Sequence, residues 1–449
     1  MGIAASIRTR SPGWMALLAL ACGGIGIAAG NDPKLGLAAA FGLAFSVAVL
    51  SDVTLGLMMF TVLCFLDVIN FGGASVSFMK IVGLLLFLSW FASMATQRDR
   101  DARALFAEQP VIAFAAIGLV GWSLVSVAWA ESTGTAISSS YRFLLDILLL
   151  PIVSYALRKR VHFVWILAAF VFGAVVSASL GVFQSGGARL LGGIGDSDDE
   201  AAVLVAALAL VVGLWGVLPR GSAARLWTLV GATITLLGLV DTGSRGGLVA
   251  FGCMLVAAVL FGGRWRGRAL VLLIVAASGT GLYLTLLAPS SARQHINSTS
   301  STGRTDLWKV GVRMWEANPL VGVGAGNFAN SAIHYVQGAG PLTRADLIVD
   351  VPHVTHNTYL QMLDELGIPG LIAFMTLSLA SISAAIGAAR RYERAGDVQF
   401  ELLSRALALA IIGLMSADFF ISNEYERLLW LLLAIPIPLL ALARSETGR

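Results

Sequence analysis

Residues 201–218 read AAVLVAALALVVGLWGVL, an unbroken apolar run without a charge or a proline. A helix needs about 20 such residues to cross the hydrocarbon core of a bilayer. A membrane β-strand would alternate apolar and polar residues, and this run is apolar on every side. The same texture recurs outward from it in both directions. Fourteen candidate segments lie near 13–30, 35–50, 53–70, 78–95, 111–129, 139–156, 162–183, 201–218, 226–241, 246–262, 269–287, 367–389, 403–422 and 427–443. Composition agrees, with 57% hydrophobic and 12% charged residues among 449 and a mean hydropathy of +0.83. That leaves too little polar surface to cover a water-facing globule. The expected fold class is an all-α polytopic membrane protein with about 12–14 transmembrane helices. Residues 1–287 form an N-terminal bundle, 288–366 a long polar loop with short helices, and 367–449 the C-terminal spans.

The first segment follows Arg8 and Arg10 and reads as a retained anchor, because further spans follow directly. Cys22, Cys64 and Cys253 lie inside apolar segments, so none is placed for a disulfide in the polar loop. The net charge of +4 is scattered between spans and does not form a nucleic-acid-binding patch.

Lys and Arg collect in cytoplasmic turns. With the N-terminus inside, those turns hold Arg98–Arg103, Arg158–Arg160, Arg220 and Arg225, Arg264–Arg268, Arg390–Arg394 and Arg444. The basic residues left on the outer side are Arg142, Arg189, Arg245, Arg293, Arg304, Lys309, Arg313 and Arg344. Arginine there runs against the insertion bias, and an anionic ligand would account for it. Long translocated loops ignore that bias, which would equally explain the loop residues but not Arg142 or Arg245.

Residues 288–366 are the one extended polar stretch, and a loop of that length is usually functional or disordered. Its pattern argues for order. From Gly303 to Ala317, Leu307, Val310 and Met314 recur at helical spacing, with Arg304, Lys309 and Arg313 on the basic side. Asn318-Pro319 stops this helix. Its basic face suits anionic groups, although a packed cap with solvated charges would look the same. Gly322, Gly324 and Gly326 follow with no preceding strand and no Walker lysine, which excludes a nucleotide loop. They suit tight turns and a close approach instead.

Four of the five histidines fall in this loop: His295, His334, His353 and His356. His356 precedes a short helical pattern (Leu360, Leu363, Leu366) closed by Gly367 and Pro369. A helix N-terminus disfavours imidazolium, and a neutral histidine can take a proton from a hydroxyl. His-x-x-His could alternatively offer two zinc ligands, but no third ligand stands at conventional spacing. Nearer the spans, Gly246 and Gly247 follow Arg245, whose planar fork of donors fits phosphate oxygens. Arg142 and Asp146 lie one turn apart, a spacing that suits a mutual ion pair as well as a ligand role. Asp196 to Glu200 opens the span with which this section began. Acidic residues there cap a helix N-terminus, while Asp-x-Asp also suits a divalent cation on a diphosphate.

SRGG at 244–247, GR-x-D-x-W at 303–308, NPL-x-G-x-G-x-GNF at 318–328 and H-x-x-HN-x-YL at 353–360 occur in that order. Together they resemble the O-antigen ligase and polymerase superfamily of bacterial inner membranes. The resemblance implies a GT-C-like helical bundle with a periplasmic loop, working without metal or other cofactor. It implies a donor glycan carried on undecaprenyl diphosphate and passed to a sugar hydroxyl. The acceptor would be lipid A–core for a ligase, or a second lipid-linked repeat for a polymerase. Carried over by motif, Arg245 and Arg304 would hold the diphosphate and His356 would be the general base. Arg142, Lys309, Arg313, His353, Asn357 and Tyr359 would be substrate-binding. A transporter of lipid-linked sugars is the rival class, but no internal repeat is visible and intramembrane polar residues such as Asp67 and Asp418 are few.

Overall fold

The computed structural model describes residues 23–27, 29–30, 33–66, 78–96, 108–185, 189–286, 303–338, 340–350 and 353–448. Arg8, Arg10, Asp67, Arg98–Arg103, Arg293 and His295 lie outside them. Among the described residues every regular element is helical, so the chain is an all-α polytopic membrane protein. It divides into two units, residues 1–60 with 70–97, and 61–69 with 98–449.

In the first unit, α1 (Pro33–Ser51) and α3 (Phe78–Thr96) pack together, with α2 (Val53–Cys64) following α1. The Ser89 hydroxyl donates to the Val49 carbonyl at 2.6 Å, an inter-helix bond that replaces a partner lipid cannot supply.

The second unit holds α4 (Pro110–Val125), α5 (Thr133–Ile147), α6 (Leu149–Ala156), α7 (Arg160–Ser185), α8 (Ser197–Val217) and α9 (Ala223–Asp241). It continues through α10 (Arg245–Phe261), α11 (Arg266–Leu286), α12 (Arg304–Ala317), α13 (Thr358–Arg394), α14 (Val398–Ala417), α15 (Arg427–Ala434) and α16 (Pro436–Thr447). Among the described residues eight helical stretches are long and apolar enough to cross a membrane, or nine if α10 and the helix after it form one span bent by 114°. The apolar segment near 13–30 lies largely outside the described residues. The residues of α1, α2 and α3 make shorter apolar helices, and the bend falls at Gly263, whose φ of +55° suits glycine.

The apolar run at 201–218 is the centre of this unit. Most of α8 is buried, and its most extensive neighbour is α14. Small residues set the approach. A Cβ on Gly213 would lie 2.8 Å from the Ala406 Cβ, and one on Gly413 would lie 2.8 Å from Val205. Without a hydrophobic drive between helices in lipid, such close packing is what holds them together.

Basic residues from separate turns gather at one end. Arg160 pairs with Asp397 at 2.6 Å and Glu446 at 2.9 Å. Arg405 reaches Glu401 at 3.1 Å, Glu393 at 2.7 Å and the Phe261 carbonyl at 2.6 Å. Arg264 joins Glu401, and Arg444 reaches the Glu108 carbonyl. Helices α10 and α13 end here, and α14 starts here. The opposite end of the unit thus receives the N-termini of α10 and α13 and the C-terminus of α14.

Glu401 is fully buried and Arg405 nearly so, so deleting Arg405 breaks a buried pair and leaves Glu401 with Arg264 as its remaining cation. Arg405→Met is expected to cost about 3–5 kcal/mol, read as a lower thermal midpoint in detergent. An unchanged midpoint would show that the cluster contributes nothing to stability.

Candidate active site

At that opposite end, α8 begins. Asp196 caps it, its carboxylate accepting from the Asp198 and Asp199 amides. Successive helical residues point about 100° apart, so the four acids take four different tasks. Glu200 turns inward and accepts from the Ser177 hydroxyl at 2.6 Å. Asp199 lines a cavity described below. Asp198 forms the node of the site. One of its oxygens pairs with Arg189 at 3.1 Å and the other with Arg304. It also accepts from the Ser244 hydroxyl, and Ser244 in turn caps α10 by accepting from the Gly247 amide at 3.1 Å. One carboxylate therefore ties together residue 189, the start of α12 and the residue preceding Arg245.

His356 joins this cluster. Burial and the nearby Arg304 guanidinium lower its pKa below the ordinary histidine value, against the pull of Asp196 and Asp198. Its φ of +50° makes it the one non-glycine residue in the left-handed region among the described residues. A β-carbon is disfavoured there, and such strain persists only where surrounding contacts over-determine it. Those contacts are evident. The Trp308 indole donates to the Thr355 carbonyl at 3.0 Å and stands edge-on to Phe419. The Thr358 amide donates to the Asp418 and Ile421 carbonyls at 2.9 and 2.8 Å. Asn357 caps α13 by accepting from the Leu360 amide at 3.0 Å. His356 thus sits just outside a helix N-terminus, and Gly367 (φ +65°) breaks that helix where the sequence placed its end.

The amphipathic helix α12 buries Leu307, Val310 and Met314 against Val323, Phe328, Ala332 and Ile348. Its apolar stripe closes a small core of its own loop. The basic face is divided. Arg304 turns to Asp198, whereas Lys309 bonds Asp306 at 2.9 Å and the Pro341 carbonyl at 3.0 Å. Arg313 donates to the carbonyls of Tyr335, Val336 and Gly340 at 3.0, 2.6 and 2.7 Å. Those two side chains strap the 335–341 segment. Asp306 is otherwise costly to bury; Lys309 and the Thr343 and Arg344 amides outweigh that cost and hold its carboxyl at about 2.

The glycine-rich turn is a clamp. The Gly326 and Phe328 amides donate to Glu365 at 2.6 and 3.3 Å, so the anion such a loop could cradle is supplied by the chain itself. A Cβ on Gly322 would lie 2.3 Å from the Glu365 backbone, and one on Gly326 would lie 2.0 Å from the Ser139 hydroxyl.

The other expected residues lie around this core. His353 is close enough to affect the charge on His356. Tyr359 donates to the Met415 carbonyl at 2.5 Å, tying α13 to α14. Arg142 lies over the Tyr425 ring, 4.3 Å from its centroid, where an ion pair with Asp146 was expected. Asp146 is buried, with Arg427 and Arg142 both near enough to act on its charge. Among the described residues no group of three or more His, Cys, Asp or Glu is arranged to hold a metal. Sequence reasoning read Asp198 as a capping or metal residue and overlooked Glu365. An adjacent acid pair, Asp364-Glu365, within an otherwise apolar helix was the available signal.

A many-span helical protein with an arginine, carboxylate and histidine cluster at one end of its bundle is the class this geometry defines. Residues 230–375 match the family described as O-antigen ligase. All four motifs lie within the matched residues. That match supports the resemblance to O-antigen ligases and polymerases carried by the motifs. No curated protein matches it.

If Trp308 holds the histidine segment in place, Trp308→Phe keeps the aromatic edge and loses only the bond to Thr355. A loss of about 0.5–1.5 kcal/mol is expected, with faster amide exchange confined to residues 353–357. Unchanged exchange there would remove Trp308 from the support of His356.

Proposed function

We propose that this protein is an inverting, metal-independent glycosyltransferase of the bacterial inner membrane. It moves a glycan from undecaprenyl diphosphate to a sugar hydroxyl at the periplasmic face, ligating O-antigen to lipid A–core. The observation that carries this reading is the meeting of Arg304, Arg189 and the Ser244-Arg245 turn on Asp198, with His356 beside them. Nucleotide sugars are absent outside the cytoplasm, so the activated donor arrives on a lipid. The convergence of basic turns at the other end of the bundle supports placing this end outside.

The reaction is a single displacement. The bond between the anomeric carbon and the diphosphate oxygen breaks, its electron pair leaving with the undecaprenyl diphosphate. A new bond forms between that carbon and the acceptor oxygen, and the acceptor proton passes to the His356 imidazole. Negative charge grows on the diphosphate as the bond stretches, and prepositioned guanidinium donors stabilise it. A guanidinium carries five donors, and one carboxylate engages at most two of them. Asp198 can therefore orient Arg304 while the fork still meets phosphate oxygens. Arg245, at the first turn of α10, adds its charge to that of the helix N-terminus. A neutral imidazole is needed for the proton transfer, and the lowered pKa of His356 keeps it neutral near pH 7.

His356→Ala should abolish transfer while undecaprenyl diphosphate still binds; turnover preserved in that variant would remove the histidine from the mechanism. Arg245→Ala should weaken donor binding, measured with undecaprenyl diphosphate in nanodiscs, and unchanged affinity would reassign that arginine. The pH profile adds a signed test. Activity should fall as acid protonates His356, with the kcat/KM limb below the ordinary histidine pKa of about 6.5. Arg304→Gln removes a repelling cation and leaves Asp196 and Asp198 in place, so the limb should move to higher pH. A limb that stays fixed would mean another group titrates.

A further inference from the structure

A cavity of about 600 Å³ lies beside the arginine cluster, walled by α5, the first turn of α8, the 354–361 segment and the 422–426 turn. Three observations mark it as a place built for a ligand. Along α5, Thr135, Ser138, Ser139 and Arg142 recur at helical spacing and all line it. A polar stripe on a membrane-spanning helix is costly unless it faces water or a polar partner. Beside that stripe, the polar side chains of Gln361, Ser422, Asn423, Glu424 and Glu426 also line the cavity. Finally, Arg142 over Tyr425 presents a flat platform of the kind a sugar ring can stack on.

The cavity and the arginine cluster are neighbours that share walls. Asp198 faces the arginines and Asp199, next in the helix, faces the cavity. Val354 and Gln361 line the cavity and bracket His356 in sequence. We propose that this cavity is the acceptor subsite, binding a non-anionic, polyhydroxylated sugar ring whose hydroxyl is presented to His356. This assignment rests on the glycosyltransferase reading above and adds to it the second substrate's position and chemistry. The lining pairs hydroxyl, amide and carboxyl groups, which together satisfy both the donor and acceptor capacity of sugar hydroxyls. It contains a single arginine among three acidic side chains, Asp199, Glu424 and Glu426, so no cluster of cations marks it for a uronate or phosphorylated ring. Donor diphosphate at the arginine cluster and acceptor alcohol in the neighbouring cavity is a disposition that suits a single displacement.

The test uses full-length protein in nanodiscs with three oligosaccharide probes and undecaprenyl diphosphate. The probes are delipidated lipopolysaccharide core, the free repeat oligosaccharide and a uronic-acid oligomer of equal length. Saturation-transfer NMR reads oligosaccharide binding independently of turnover. The core or the repeat oligosaccharide should bind, which of the two identifying the acceptor source, and the uronic-acid oligomer should not. Ser138→Trp fills the cavity and should weaken oligosaccharide binding, and raise the acceptor KM, at least about tenfold. Glu424→Gln should weaken both several-fold. Undecaprenyl diphosphate affinity should stay unchanged in each variant, which also reports that the protein is folded. Oligosaccharide binding unaffected by both substitutions, or binding of the uronic-acid oligomer alone, would overturn the assignment. Wild-type protein that binds the oligosaccharide yet transfers nothing would sink the enzymatic reading while leaving the subsite standing.

Discussion

A guanidinium near the edge of a bilayer is expensive unless something holds it, and in this protein the holder is the Asp198 carboxylate. Arg189 and Arg304 come from segments more than a hundred residues apart, and both end on it. Ser244 bonds the same carboxylate and caps the helix that begins with Arg245. The position of Asp198 is in turn set by Asp196, which caps α8, and by the burial of α8 at the centre of the bundle. Orientation passes outward from a rigid, close-packed helix to side chains that would otherwise be free to move. A preorganised array of donors is worth more to a reaction than the same donors on flexible loops, because no reorganisation is needed as charge develops.

The histidine segment is built by the same logic with different materials. Its backbone is held on two sides, by the Trp308 indole and by the carbonyls of the 418–421 turn. Together these contacts maintain His356 in a backbone conformation that an L-residue rarely adopts. The glycine-rich turn behind it, clamped on Glu365, joins the polar loop to α13. The loop is therefore an ordered cap in which Lys309 and Arg313 serve as straps.

Local pattern carried much of this. Helix α12, its stop at Asn318, the helix start after His356 and the break at Gly367 were all legible, because each depends on residues within one or two turns. The polar motifs around Arg245, Arg304 and His356 were also legible as residues, though not their meeting on Asp198, which requires the relative placement of α8, α10 and α12. Arg142 was expected to meet Asp146 because helical spacing favours it. Tyr425, nearly three hundred residues away, offers its ring instead, and no local pattern reports such a contact. Lys309 and Arg313 were legible as a basic face, but the carbonyls that occupy them lie in a segment with no regular pattern. Hydropathy measures how apolar a run is, and it is blind to a bend such as the one at Gly263.

The account comes down to one chemical event, displacement of a lipid diphosphate by a sugar alcohol at a site made of arginines and an uncharged histidine. Purified protein supplied with an undecaprenyl-diphosphate glycan and an acceptor saccharide tests it directly when the anomeric configuration of the product is read by NMR. The account predicts a new glycosidic bond of inverted configuration, with one undecaprenyl diphosphate released per bond formed. Retained configuration would require two displacements through a covalent intermediate and would contradict the single displacement, and the absence of any covalent change would contradict the account altogether.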